Sequence, residues 1–266
     1  MEFGMPTLLE TPEIAGCAGL CRSLNLDFIE LNNNFPWYQL DAVDTGLYNR
    51  LKKEYGIYYT IHLEEELNVC GYNQEVTRAY RNTVLKAVEI AKRLEAPVLN
   101  MHLASGVYIT LPDRKVYLFR EYKERFLGML LEFSRLCEAA IGDSGIRICV
   151  ENAGGYMDFA REGLELLLES PVFGLTFDLG HDHSVGGMDE PFIRKHRDRL
   201  QHMHIHDALG KSNHLAIGDG EIDLPDKLAL ARECGCRCVL ETKTVAGLTK
   251  SVERLRDYLS EEAVSD

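Results

Sequence analysis

Two aspartates and two histidines stand together in "GLTFDLGHDHSVGG" (residues 174–187): Asp178, His181, Asp182 and His183. These are side chains that hold divalent cations or move protons. Asp178 closes the apolar run "VFGLTF", which reads as a buried strand, and the glycine pair of "SVGG" lets the chain turn back close by. The arrangement recurs along the chain. His62 ends "YYTIH", His102 ends "VLNMH", Glu151 ends "IRICVE", His204 closes "LQHMH" and Glu241 ends "CRCVLE". Taken singly, each has an ordinary explanation: a histidine after an apolar strand is commonly a hydrogen-bonded structural residue. An Asp or Glu ahead of a glycine-containing turn caps the next helix. Six strands in succession ending this way point to one shared cause. Crowded carboxylates are costly unless a cation neutralises them, so the pattern predicts a divalent metal centre. His181, three residues past Asp178, reaches the same rim from its loop. His202 shares the parity of His204 but lies deeper, where it packs or supports a ligand. Asp182 and His183 are read as loop or supporting residues.

The elements that position these residues alternate strictly. "LDFIELN" is followed by "TGLYNRLKKEYG" and then by "IYYTIHL". The stretch from Gln74 to Leu94 carries Val76, Tyr80, Val84, Val88 and Ala91 at helical spacing, which predicts an amphipathic helix. A long helix is expected through "YLFREYKERFLGMLLEFSRLCEAA", and further ones in "MDFAREGLELLLES", "LPDKLALAREC" and "TKSVERLRDYLS". With a first strand near "FGMPTLLE", eight strands are each followed by a helical pattern. The strands are near-continuous apolar runs, as strands buried on both faces must be. The reading is a single (β/α)8 barrel domain spanning residues 1–266, with an open doubly wound sheet as the alternative. In a barrel the carboxyl ends of the strands meet around one rim, where active sites are built.

Composition limits what such a rim can serve. The chain has a net charge of −13, with 45% hydrophobic and 27% charged residues. An acidic surface of this kind disfavours nucleic acid and anionic membranes as partners. The densest basic cluster, "RKHRDR" (Arg194 to Arg199), reads as a solvated helix face. No apolar run approaches the ~18 residues of a membrane span. The opening "MEFGMPTLLETPE" lacks the basic and apolar regions of a secretory signal, so a cytoplasmic location is expected. The eight cysteines have no zinc-knot spacing and read as reduced, mostly buried thiols, including Cys234, Cys236 and Cys238 of "CGCRC".

The chain resembles the xylose-isomerase-like barrels, which include sugar and sugar-phosphate isomerases and epimerases, related dehydratases and endonuclease IV. The resemblance runs from "FIELN" to "VLETK" and is carried by "HL" at His62, "NMH" at His102, "VENAGG", "FDLGH", "HMHIHD" and "HLAIGDGEID". It implies that Glu151, Asp178, His204 and Glu241 hold one divalent ion, as the matching positions do in the epimerase branch. Three carboxylates and one imidazole favour Mn²⁺, Mg²⁺ or Co²⁺, with Zn²⁺ also admitted. In the endonuclease branch His62, His102, His181 and His214 match further zinc ligands. That branch's Asp-x-His is here Ser212-Asn213-His214, which weakens a third zinc while leaving a second metal near His62 and His102 open. The sequence also lacks basic and aromatic loops that would grip a DNA duplex.

The resemblance therefore implies a small-molecule sugar substrate and proton transfer beside a carbonyl through an enediolate. Glu151 and Glu241 would exchange the protons, and His181 would meet a substrate hydroxyl. Lys211 or Lys243 would meet a phosphate or hydroxyl. The same machinery in a dehydratase or lyase would expel a leaving group, and a non-catalytic sugar-binding barrel would have little use for two opposed bases. Self-association into a homo-oligomer is compatible with all of these features.

Overall fold

The computed structural model describes residues 1–265, with side chains through residue 260. Twelve strands run β1 (Glu2–Pro6), β2 (Phe28–Asn32), β3 (Tyr58–His62), β4 (Val98–His102), β5 (Tyr108–Thr110), β6 (Lys115–Tyr117), β7 (Arg147–Glu151), β8 (Phe173–Asp178), β9 (Leu200–Ile205), β10 (Asp207–Leu209), β11 (Ser212–Leu215) and β12 (Arg237–Leu240). Eight of them close a parallel barrel in the order β1-β2-β3-β4-β7-β8-β9-β12 and back to β1. The remaining four form two antiparallel hairpins, β5 with β6 and β10 with β11. The fold is a (β/α)8 barrel, as the strand–helix alternation predicts.

The barrel strands are buried on both faces because helices cover the outside and side chains fill the inside. β8 is buried along its whole length. Its register pairs Asp178 with His204 on β9, and β4 pairs His102 with Glu151 on β7, so the polar strand ends lie in one layer. Long-range packing thereby turns a one-dimensional pattern into a ring.

Two local expectations differ from the structure. The long helix expected after β4 is divided into Leu118–Glu121 and Lys123–Ile141, with Tyr122 between them at φ −110° and ψ 48°. The break lets Phe119 stack on Phe126 at 4.6 Å and meet Phe159 edge-on, a cluster that a straight helix would not close. In the helix Gln74–Leu94, Val84, Val88 and Ala91 are buried as expected, but Val76 is 45% exposed. Its neighbour Thr77 is buried instead, because its hydroxyl donates to the Gly71 carbonyl at 2.7 Å.

The basic cluster is tied to the surface by ion pairs: Arg194 to Glu190 and Asp226, Lys195 to Glu165, and Arg197 to Glu233. All eight cysteines are free thiols. Among the described residues no helix is long and apolar enough to cross a membrane.

Candidate metal centre

The carboxyl ends of β7, β8, β9 and β12 bring Glu151, Asp178, His204 and Glu241 to one point. His204 is fully buried, and its Nδ1 lies 3.4 Å from Glu151 Oε1, 3.6 Å from Asp178 Oδ2 and 3.5 Å from Glu241 Oε2. Among the described residues, His204 Nδ1 and Asp178 Oδ2 are buried without a hydrogen-bond partner. Donor atoms each about 2.1 Å from a shared ion stand roughly 3.4 Å apart in a tetrahedral set. The observed separations therefore fit a divalent cation, as do the two buried atoms that no protein group satisfies.

Asp178 has two tasks. Its Oδ1 accepts the His181 backbone N–H at 2.6 Å and caps the short helix Leu179–Ser184, while Oδ2 faces the cluster. The capping explanation thus holds for this residue, and it leaves Oδ2 free to face the cluster. Glu151 caps no helix; the helix after it begins at Asp158. Its Oε2 instead accepts from the Asn100 amide, and Asn100 Oδ1 accepts the Thr176 hydroxyl at 2.6 Å.

His62 and His102 face the other side of Glu151. Their Nε2 atoms lie 3.4 and 3.3 Å from its Oε2. His62 Nδ1 sits 2.8 Å from the Leu63 carbonyl, which leaves Nε2 as the nitrogen facing the cavity. His181 Nδ1 lies 3.3 Å from Glu151 Oε1, and His214 Nδ1 lies 3.6 Å from Glu241 Oε2. His62, Glu151 and His204 offer donor atoms within 4.8 Å of one another, a second group that could hold an ion, whereas His102 joins no such group among the described residues.

The electrostatics are those of a closed acid–imidazole network. Burial pushes the carboxyls of Glu151 and Glu241 up, but the His204 imidazole and its neighbours outweigh it and hold both below the ordinary range. Burial pushes His62 and His181 down, yet the Glu151 carboxylate raises each to about 9. Burial lowers His214 to about 4, helped by repulsion from His206 and Lys243, so its imidazole is neutral at neutral pH.

The cavity above these groups has a volume of about 400 Å³ and reaches His62, His102, His181, His214, Glu65 and Lys243 at its wall. Lys243 Nζ lies 2.9 Å from Glu241 Oε1. Lys211 is not brought to the cavity. It is exposed in the turn between β10 and β11, because that hairpin folds His214 inward and leaves its tip in solvent. Asp182 is buried, with Oδ1 accepting the Asp189 and Glu190 backbone N–H groups, and His183 pairs with Glu221 at 3.1 Å.

Two buried residues escape the sequence reading. Glu30 on β2 lies 2.7 Å from His202 Nε2 and 2.8 Å from His204 Nε2. His206 is wedged between Asp178 Oδ1 at 3.6 Å and Glu241 Oε2 at 3.7 Å. A signal for His206 existed in the alternation His202, His204, His206 of "HMHIHD". Gly180 makes room for it: a Cβ there would come within 2.0 Å of His206 Nε2 and 1.9 Å of Asn213 Oδ1.

Comparison with known proteins agrees with this architecture. A protein of Methanocaldococcus jannaschii described as uncharacterized protein MJ1311 is 28% identical, over 97% of this chain and 89% of its own length. A crystal structure described as a D-tagatose 3-epimerase-like protein superposes with a TM-score of 0.81 at 25% identity, covering 99% of this chain and all of the other. The 3-keto-D-glucoside 4-epimerase YcjR of E. coli shares the fold, with a TM-score of 0.77 at 16% identity, over 97% of this chain and 99% of its own. Residues 18–260 match the family described as the xylose isomerase-like TIM barrel, and the chain belongs to that family.

Proposed function

We propose that the protein is a divalent-metal-dependent sugar or sugar-phosphate isomerase or epimerase. One observation carries the proposal: the carboxylates of Glu151 and Glu241 lie 3.4 and 3.5 Å from the same nitrogen of His204, yet arise from strands separated by two others. They therefore approach one cavity from different sides. The likeness to structures described as sugar epimerases supports the same reading.

Glu151, Asp178, His204 and Glu241 would hold the ion, with Mn²⁺, Mg²⁺ or Co²⁺ suited to a carboxylate-rich set and Zn²⁺ also accommodated. When bound, it supplies Lewis-acid stabilisation of the negative charge that grows on a carbonyl oxygen. One of Glu151 and Glu241 removes the proton from the carbon beside the carbonyl. The other returns a proton, from the opposite face in epimerisation or to the neighbouring carbon in isomerisation. Asn100 fixes the Glu151 carboxylate, and Lys243 favours the ionised form of Glu241. His181 and His214 line the cavity and would meet substrate hydroxyls.

The test combines elemental analysis of the purified protein with a panel of ketoses and ketose phosphates in D₂O. Deuterium is expected at the carbon beside the carbonyl, since a carboxylate exchanges its proton with solvent. A hydride shift would leave the product unlabelled. Turnover without deuterium, and with the substrate's own hydrogen traced between carbons, would overturn the proton-transfer reading. Incision of a duplex carrying an abasic site, dependent on His62 and His102, would overturn the choice of a sugar substrate.

A further inference from the structure

His204 makes two kinds of contact, and the difference between them is informative. On the Nδ1 side the three carboxylates stand 3.4 to 3.6 Å away, too far for hydrogen bonds of ordinary strength and right for donors sharing an ion. On the Nε2 side Glu30 Oε1 stands 2.8 Å away, a separation with room for a proton and none for a cation. The contact is short but not straight enough to count as a well-aligned hydrogen bond. Glu30 is itself held from two further directions. Its Oε2 accepts the Thr60 hydroxyl at 3.0 Å and lies 2.7 Å from His202 Nε2. All four residues are buried: Glu30 is 2% exposed, and Thr60, His202 and His204 are 0% exposed.

We infer that Glu30 is a positioning residue: its carboxylate keeps the proton of His204 on Nε2 and sets the ring so that Nδ1 is presented to Glu151, Asp178 and Glu241. Thr60 and His202 fix the carboxylate that does this. The inference rests on the metal-binding reading proposed above. An imidazole can present only one nitrogen to an ion, and the hydrogen bond made by the other decides which. Without Glu30, a buried His204 has no acceptor for Nε2–H, and the alternative tautomer places a proton where the ion should sit.

The experiment uses the full chain and two variants, Glu30→Gln and Glu30→Met. The first keeps the shape and puts an amide donor against the histidines; the second removes both acceptor oxygens. Titration with Mn²⁺ alone and with Zn²⁺ alone should show affinity lower by about 10- to 100-fold in both variants. Circular dichroism and thermal melts should confirm that each remains folded. Co²⁺ absorption should shift, reporting altered coordination that a merely structural change would not produce.

In the metal-free protein, ¹⁵N-edited NMR should show a slowly exchanging Nε2–H on His204 that is lost in Glu30→Met. Folded variants with wild-type Mn²⁺ and Zn²⁺ affinity, or an Nε2–H of His204 indifferent to Glu30→Met, would overturn the inference. Failure of the wild-type chain to take up either ion would instead overturn the metal reading. In that case the NMR measurement still decides whether Glu30 sets the proton on His204.

Discussion

The rim of the barrel and its helical shell are built on opposite principles. In the shell, charged groups meet one another at the surface, as in Lys195 with Glu165 and Lys227 with Glu190, both at 2.6 Å, while the interior is apolar. Phe126, fully buried, packs between Phe119 and Phe159. At the rim, three carboxylates and several imidazoles are buried together, and atoms such as His204 Nδ1 and Asp178 Oδ2 lack hydrogen-bond partners among the described residues. The shell meets most of its polar needs by such pairs, though Arg161 Nε and Asp189 Oδ2 are also buried without a partner. That contrast is the one expected if the rim holds a cation and a substrate, as proposed, while the shell holds the fold together.

Substitutions should separate the two regions. Glu241→Gln should lower turnover by about 10²- to 10⁴-fold, the usual contribution of a positioned base. With Glu151→Gln added, metal content by elemental analysis should drop sharply. An unchanged stoichiometry in the double variant would remove these residues from the ligand set. In the shell, Phe126→Ala should cost about 3 to 5 kcal/mol in denaturant unfolding. Metal content per folded molecule should stay at the wild-type value, and a loss there would blur the distinction.

Gly180→Ala probes the seam between the regions. The added methyl must push His206 and Asn213 aside, at a cost of about 1 to 3 kcal/mol, with weakened metal uptake as the accompanying readout. The smallest effect concerns protons. Burial pushes His204 down, but Glu151, Glu241 and Glu30 together hold it well above its ordinary value. His62 and His181 stand at about 9. His62 and His181 therefore carry protons at pH 7 in the metal-free protein, and an ion that neutralises Glu151 should release protons from them. Affinity should then rise with pH up to about 9, by about tenfold, or 1.4 kcal/mol, per pH unit for each proton released. Calorimetry in buffers of different ionisation enthalpy measures this directly, and zero release would contradict the network described.

The barrel was legible because each strand carries its own burial in a short apolar run, and each helix carries its own period. The convergence of His62, His102, Glu151, Asp178, His181, His204 and Glu241 was legible for a related reason, since strand ends in a barrel share one rim. Glu30 was not legible. Inside "FIELN" it looks like any strand carboxylate, and its partners Thr60 and His202 stand 30 and 172 positions away in sequence. The division of the long helix at Tyr122 likewise depends on Phe119 finding Phe126 and Phe159, which no local period encodes. Lys211 was misplaced because a hairpin, invisible as a pattern in "DALGKSNHL", carries His214 in and its own tip out.

The loop that follows that hairpin is gathered onto one side chain of its first strand. The Asp207 carboxylate accepts the backbone N–H groups of Ala208, Gly218, Gly220 and Ile222, at 2.8 to 3.1 Å. Four amides that share one acceptor cannot open independently, so the segment from β10 to Ile222 behaves as one unit of local unfolding. Its amide protons should exchange with solvent at a common rate, distinct from those of the barrel strands. His214 lies within this segment, which ties the wall of the cavity to a carboxylate one residue from His206.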